Sequence, residues 1–461
     1  MRELTRYIVE SIKTWDWRLF LFILLFLGLP NIYQLYRVYL IGNELPDTGS
    51  LAIVSQWQFV GLVVEVFQEA TVLAIFFFLG SQIRSGSSVQ LDRAKSVLSF
   101  IFVASLAFSL GVFVFRDAFI TLINTSTDIQ DQTREFLAIS VFSIPFTLLS
   151  AATVVLFEAL RLRTLVFIMA IANILLKYIL DTLFFGGYSF SLNAGVAGVG
   201  WATLLASLGL FLIGLALLFR TRRAEIGPGT LLSLPTFTDM REYLRVGLGS
   251  GVDSLVRNVA FFFMIIRIIN AIGGEEIGGF WLANQIIWSF MLVPVLALSD
   301  SAKAMVANVS SDISKVRRLW HTSMLITTAI ALIWIILFPA FPSFAGFLSG
   351  DQESVGWAVT AFGILFVPYV LFSFNTVMDS VFYGIGQTRY MAYQSILTNG
   401  TVYFAAFLLY LSGIWNPSFE GVVTLFALGI LVDSFLTVFF LLKVLYIDSG
   451  EITSRTGLGR A

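Results

Sequence analysis

Long apolar runs, each bounded by polar or Gly/Pro-rich breaks, organise the chain from end to end. Six cover 17–41, 52–79, 97–116, 133–157, 165–186 and 196–219. A polar connector over 220–241 precedes six more, at 244–272, 279–300, 320–342, 357–383, 391–412 and 420–445. A helix needs roughly 20 apolar residues to cross a hydrocarbon core about 30 Å thick. Its backbone polar groups are then satisfied within the segment, as lipid requires. The pattern predicts an all-α integral membrane protein with twelve transmembrane helices. The first run is too long for a secretory signal, lacks a small-residue cleavage site and is followed by further spans, so it reads as a retained helix.

Composition agrees with that reading and narrows the chemistry. Apolar residues make up 57% of the 461 positions and charged residues 12%, with a mean hydropathy of +0.87. A soluble domain carries about 25% charged residues. The absence of cysteine excludes disulfides, thiolate metal sites and a thiol nucleophile. The single histidine, His321, opens the ninth run and reads as an interfacial residue. Gly247-Leu-Gly249-Ser-Gly251 has no strand before it, so it reads as close helix packing rather than a phosphate loop. No metal site or cofactor other than Na+ or H+ as a coupling ion is expected, and no enzyme.

Basic residues set the orientation. Nearly all lie on the side of the two termini and the central connector, with Arg116 and Arg134 the exceptions across the membrane. Lys and Arg near helix ends are retained in the cytoplasm, which predicts a multi-pass protein of the cytoplasmic membrane with both termini inside. Trp15, Trp17, Trp320 and Trp357 lie near span ends, as interfacial anchors do.

The two halves also repeat. Pro145-Phe-Thr-Leu148-Leu-Ser150-Ala-Ala-Thr153-Val154 in the fourth run matches Pro368-Tyr-Val-Leu371-Phe-Ser373-Phe-Asn-Thr376-Val377 in the tenth, with Pro, Leu, Ser, Thr and Val at identical offsets. Six helices per half make the repeats parallel. The expected architecture is two parallel six-helix lobes, 1–240 and 241–461, around a central cleft. Pro30, Pro145, Pro294 and Pro368 would kink helices, either as bending points or as fixed kinks.

Further residues resemble the multidrug and toxic compound extrusion (MATE) transporters, within the larger group of drug and lipid-linked saccharide exporters. They are Gly195-Val-Ala-Gly198-Val-Gly200-Trp-Ala-Thr203, Leu29-Pro30 with Gly42, Leu282-Ala-Asn-Gln285 to Ser299 with Ala302 and Val306, and Tyr383-Gly384-Ile-Gly386-Gln-Thr388-Arg389. The resemblance implies alternating-access export of organic compounds against an inward Na+ or H+ gradient. The implied partners are a small organic or lipid-linked substrate and membrane lipid, with no nucleic acid and a monomeric chain. The sequence departs from the family at its usual acidic positions. Arg37 stands where many members carry an acid in the first helix, Lys177 follows Asn173 where an Asp is frequent, and Arg257 aligns near an acid of the seventh.

Intramembrane charge is costly and marks candidate sites, whatever the family. Glu65 and Glu69 share one helical face at i and i+4, with Arg37 as the expected counter-charge. Lys177 with Asp181, and Asp253 with Arg257, have the same spacing and read either as local ion pairs or as site residues. Glu158, Arg267, Asp300 and Asp433 read as residues that snorkel to the interface. The expected ion-coupling set is Glu65, Glu69 and Asp181. The expected substrate-binding set is Gln34, Tyr36, Arg37, Lys177, Asp253, Arg257, Asn284, Gln285, Asn375 and Asp379. Gln56 and Gln68 extend the polar lining. A cleft lined by Arg37, Lys177 and Arg257 would instead suit an anionic or lipid-linked saccharide cargo.

Overall fold

The computed structural model describes residues 13, 15–45, 49–72, 89–159, 162–221, 254–255, 257–310 and 312–447. Among them every regular element is helical. The helices are α1 Trp17–Asn43, α2 Ser50–Val72, α3 Val89–Val114, α4 Arg116–Leu122, α5 Gln130–Ser140, α6 Ser143–Ala159, α7 Arg163–Phe185 and α8 Gly195–Thr221. There follow α9 over 257–272, α10 Gly274–Met291, α11 Val293–Asn308, α12 Ile313–Leu348, α13 Gln352–Gly384, α14 over 389–411 and α15 Phe419–Ile447.

Eight of these helices are long and apolar enough to cross a membrane, α3 through its Val97–Val114 portion. Two bent pairs, α5 with α6 at 44° and α10 with α11 at 49°, raise the number to ten. That is fewer than the twelve expected from hydropathy. The expected seventh span begins at 244, outside the described residues. The eleventh forms as α14, but Gln394, Thr398, Asn399 and Thr401 keep it less apolar than its neighbours. The bends coincide with prolines: Pro145 lies in the first turn of α6 and Pro294 in that of α11, where a missing backbone N–H costs nothing.

Packing divides the chain into two compact units, Tyr39–Gly278 and Met1–Val38 with Gly279–Ala461. The expected lobes follow the sequence repeat and end at residue 240, so the two divisions differ at α1 and α9. The α2–α9 unit is held by a core of Val60, Ile101, Leu148, Ala152, Phe157, Met169 and Leu218, drawn from α2, α3, α6, α7 and α8. In the α10–α15 unit, Val306, Val316, Val381, Phe382, Tyr390 and Leu441 pack together. A second cluster there joins Trp15 and Phe20 to Val295, Leu298, Ile326 and Val377. Trp15 is thus a core residue rather than the interfacial anchor expected from its position.

The outer faces carry what a membrane protein must expose to lipid. Leu21, Phe22, Leu25, Leu29 and Ile32 of α1, and Leu332, Ile333, Ile335 and Ile336 of α12, are all exposed. Hydrocarbon is the solvent that tolerates them. Between helices, apolar transfer gives little drive in lipid, so close approach through small residues matters. Gly279 of α10 sits against Ser354 and Trp357 of α13, and Gly429 of α15 lies under the Tyr403 ring of α14; a side-chain carbon at either would collide. Helix starts are capped in the usual way: Asp312 accepts from the Ser314 and Lys315 backbone N–H groups, and Ser418 from that of Gly421.

Candidate functional site

Among the described residues, polar side chains inside the spans gather in both units. The first is a seam in the α2–α9 unit, where α9 runs antiparallel to α2. Glu65 and Glu69 stand one turn apart on α2, and Arg257 of α9 reaches both, with Nη2 3.4 Å from Glu65 Oε1 and 3.2 Å from Glu69 Oε1. The next residue, Asn258, donates to the Leu62 carbonyl at 3.0 Å. Phe59 and Phe262 then meet edge to face with centroids 5.1 Å apart. At the far end Gln56 and Asn270 exchange amide hydrogen bonds of 2.9 and 3.1 Å, both fully buried. Asn270 also donates to the Ile123 carbonyl at 2.7 Å, and Arg267 to that of Leu122 at 2.8 Å.

The two ends of this seam differ in kind. The Gln56–Asn270 end is a closed amide pair shielded from solvent, which rigidifies because each group satisfies the other. The Arg257 end is about half exposed, and α2 winds as a wider π turn over Gln68–Val72 at Glu69. Such turns recur at functional sites. One guanidinium thus stands within reach of two carboxylates.

This geometry answers part of the sequence reading. Glu65 and Glu69 do share a face, and Arg257, 192 residues away from Glu65, reaches both. Arg37, with the half-buried Gln34 and Tyr36 on the same helix, falls in the unit of Met1–Val38 and Gly279–Ala461. Asp253 lies outside the described residues, so the Asp253–Arg257 pairing does too. Lys177 and Asp181 lie one turn apart on α7, Asp181 1% exposed. Arg267 bonds the end of α4 and the turn behind it, where free carbonyls at a helix C-terminus accept from a cation.

The second gathering lies in the α10–α15 unit. Asn375 of α13 donates from Nδ2 to Asp433 Oδ2 at 2.7 Å, and Thr398 of α14 lies 3.5 Å from Asp433 Oδ1. Gln394 of α14 donates to Thr437 Oγ1 at 2.6 Å, and Thr437 in turn to the Asp433 carbonyl at 3.0 Å. Asp379 stands one turn beyond Asn375 on the same face of α13. Asp433 is therefore a mid-helix residue in a polar cluster, not the interfacial one expected; Asn375 supplies the hydrogen bond that keeps it inside.

Farther along α13 an aromatic cluster surrounds another amide. Trp288 Nε1 donates to the Tyr369 hydroxyl at 3.1 Å, which donates to Asn284 Oδ1 at 3.3 Å. Phe372 and Phe426 pack edge-on against these rings. Asn284 was expected as a site residue from its place in the eighth run; Gln285 beside it meets Ser289 at 3.5 Å. Trp288 and Tyr369 were not expected, since one tyrosine or tryptophan among many aromatics carries no sequence signal. Among the described residues no cluster of three or more His, Cys, Asp or Glu could hold a metal ion.

Comparison with known proteins places this geometry in a fold. Residues 250–408 match the MatE family model. No curated protein sequence matches the chain. Among solved structures, an inward-facing multidrug resistance MATE family transporter of the MOP superfamily superposes with a TM-score of 0.76 at 18% identity, covering 90% of this chain and 94% of that one. An outward-facing structure of such a transporter matches with a TM-score of 0.66 at 17% identity, over 94% and 95%. A MOP superfamily transporter from Pyrococcus furiosus, described as having a binding pocket of reverse polarity that suggests a different function, matches equally, at 0.66 and 17% over 94% and 95%. The chain carries a MatE region over residues 250–408 within the fold of the MATE transporters of the MOP superfamily.

Proposed function

We propose that this protein is a secondary active transporter of the cytoplasmic membrane that exports organic compounds by alternating access, driven by an inward Na+ or H+ gradient. The observation that carries the reading is Arg257 between Glu65 and Glu69 within apolar spans. Charge there is expensive unless used. Ion or proton binding to either acid weakens its hold on Arg257, and the same event loosens the seam between α2 and α9. Relatives of this fold in inward- and outward-facing forms support alternation between two states. The full architecture on this reading is twelve helices in two parallel lobes with both termini in the cytoplasm, acting as a monomer. Cargo binds against the Trp288, Tyr369 and Asn284 cluster, an apolar surface with few polar groups, as small-molecule sites are.

A second reading has one specific support. Arg37, Lys177 and Arg257 replace acids that the resemblance leads one to expect, and the Pyrococcus furiosus relative is described as having reverse pocket polarity. On this reading the cargo is an anion or a lipid-linked saccharide held by guanidinium and ammonium groups. Purified protein in liposomes, offered a cationic dye and an organic anion under imposed Na+ and proton gradients, decides between them. Export of the dye that depends on either gradient supports the first reading. Movement of the anion alone supports the second, and movement of neither compound removes both.

A further inference from the structure

Within the α10–α15 unit, side chains tie the first turns of α12 to the last of α15. Val316 packs with Val444 and Leu445 in one buried cluster. The Arg317 guanidinium donates to the Leu445 carbonyl, from Nε at 3.0 Å, and lies over the Tyr446 ring, 4.5 Å from its centroid. His321 Nε2 is 3.3 Å from the Tyr446 hydroxyl, and Trp320 stands edge-on to the same ring.

The basic residues at this end of the unit fall into two groups. Lys303 bonds Asp300 at 2.9 Å, Lys315 bonds Asp312 at 3.2 Å, Arg317 donates to Leu445, and Arg389 lies over the Tyr390 ring. Arg318 and Lys443 differ: both are exposed, and among the described residues no carboxylate bonds either. Each stands about one turn from a member of the His321–Tyr446 contact, Arg318 before His321 and Lys443 before Tyr446, so the two flank that contact. Both also head a lipid-facing stripe. On α12, Leu325 and Leu332 follow Arg318 at seven-residue intervals, with Leu332 exposed; on α15, the exposed Phe439 and Phe435 precede Lys443 by one and two turns. Arg and Lys at the end of such a stripe lay their stems along hydrocarbon and reach the headgroup level with their charge. Phosphate is the anion found there.

We propose that Arg318 and Lys443 hold the phosphate of one anionic phospholipid at the joined ends of α12 and α15, with its acyl chains along the Leu332 and Phe439 stripes. On the orientation given above this is a lipid of the cytoplasmic leaflet; the site does not depend on the cargo or the coupling ion. Two like charges with no bonded acid favour an anion beside them. The described acids at this end, Asp300 and Asp312, are already paired with lysines, so the ammonium of a zwitterionic headgroup gains nothing there. The preference is therefore for a headgroup with net negative charge.

Native mass spectrometry reads this site directly, with the full-length protein released from mixed micelles that hold equal amounts of phosphatidylglycerol and phosphatidylcholine of the same chain length. The proposal expects one phosphatidylglycerol to be retained in preference to phosphatidylcholine. Each basic residue at an anionic lipid surface is worth about fivefold, so Arg318→Gln/Lys443→Gln should lower that preference about 25-fold. Lys315→Gln/Arg389→Gln removes the same charge from the same end of the unit and should leave the preference unchanged. Equal retention of the two lipids by the wild type overturns the proposal, as does an unaltered preference in Arg318→Gln/Lys443→Gln. An equal loss in Lys315→Gln/Arg389→Gln also overturns it, since the attraction would then belong to net charge and not to these two residues. So does displacement of the lipid by inorganic phosphate, which would make the occupant a free anion. Micelles have no sidedness, so the result does not turn on the orientation of the chain in the membrane.

Discussion

The α2–α9 seam and the α13–α15 cluster hold the same number of carboxyl groups by opposite means. At the seam Glu65 and Glu69 share a guanidinium, partly open to solvent. In the cluster Asp433 accepts from the Asn375 amide and the Thr398 hydroxyl, and the Oδ1 atoms of Asn375 and Asp379 have no hydrogen bond. The first arrangement balances charge with charge and responds to whatever weakens an ion pair. The second has no cation bonded to its carboxyl groups among the described residues. Two acidic pairs in spans of one protein thus require separate tests.

The comparison breaks most completely if transport ignores the seam. Glu65→Gln/Glu69→Gln should reduce gradient-driven export to the background of protein-free liposomes, while the protein still elutes as a folded species. The closed end of the same seam predicts a stability effect. Asn270→Ala strips partners from the buried Gln56 amide and the Ile123 carbonyl, and should cost about 1–3 kcal/mol. Adding Gln56→Leu should restore part of that loss, read by denaturant melts in detergent. On the other unit, Gly429→Ala forces a methyl into the Tyr403 ring. Overpacking of this kind costs about 1–3 kcal/mol, and Tyr403→Ala should relieve it in a double variant. At the open end, Arg257→Lys keeps the charge on a half-exposed side chain and should change stability by no more than about 1 kcal/mol.

The smallest effect lies outside the spans, at Asp312. Hydrogen bonds from the Ser314 side chain, and then from Lys315, hold its carboxyl at about 2, below the usual 3.8. A carboxylate depressed in the folded state stabilises above its unfolded value and loses that contribution as pH falls toward the folded one. The cap of α12 should therefore weaken between about pH 4 and pH 2. Asp312→Ala should remove that part of the acid dependence of the thermal midpoint.

Most of the fold was legible because lipid imposes a simple rule: a span must be about 20 apolar residues long. Where the rule blurred, so did the reading. α14 carries Gln394, Thr398 and Asn399 because it faces Asp433 and Thr437, so it is less apolar than a free-standing span. Glu65, Glu69, Asn375 and Asp379 could be singled out because polar groups in lipid are costly. Their partners could not. Arg257 lies 188 residues from Glu69, and Asn375 lies 58 from Asp433, distances over which neither helical periodicity nor hydropathy carries information. The Gln56–Asn270 pair illustrates the same limit, since two amides 214 residues apart announce nothing until the chain folds.

The most direct test of the central claim is gradient-driven export by Glu65→Gln/Glu69→Gln in liposomes, measured beside cargo binding by the same preparation. The account predicts that binding persists while export no longer responds to Na+ or proton gradients. Export that keeps its full gradient dependence in the double variant would contradict it.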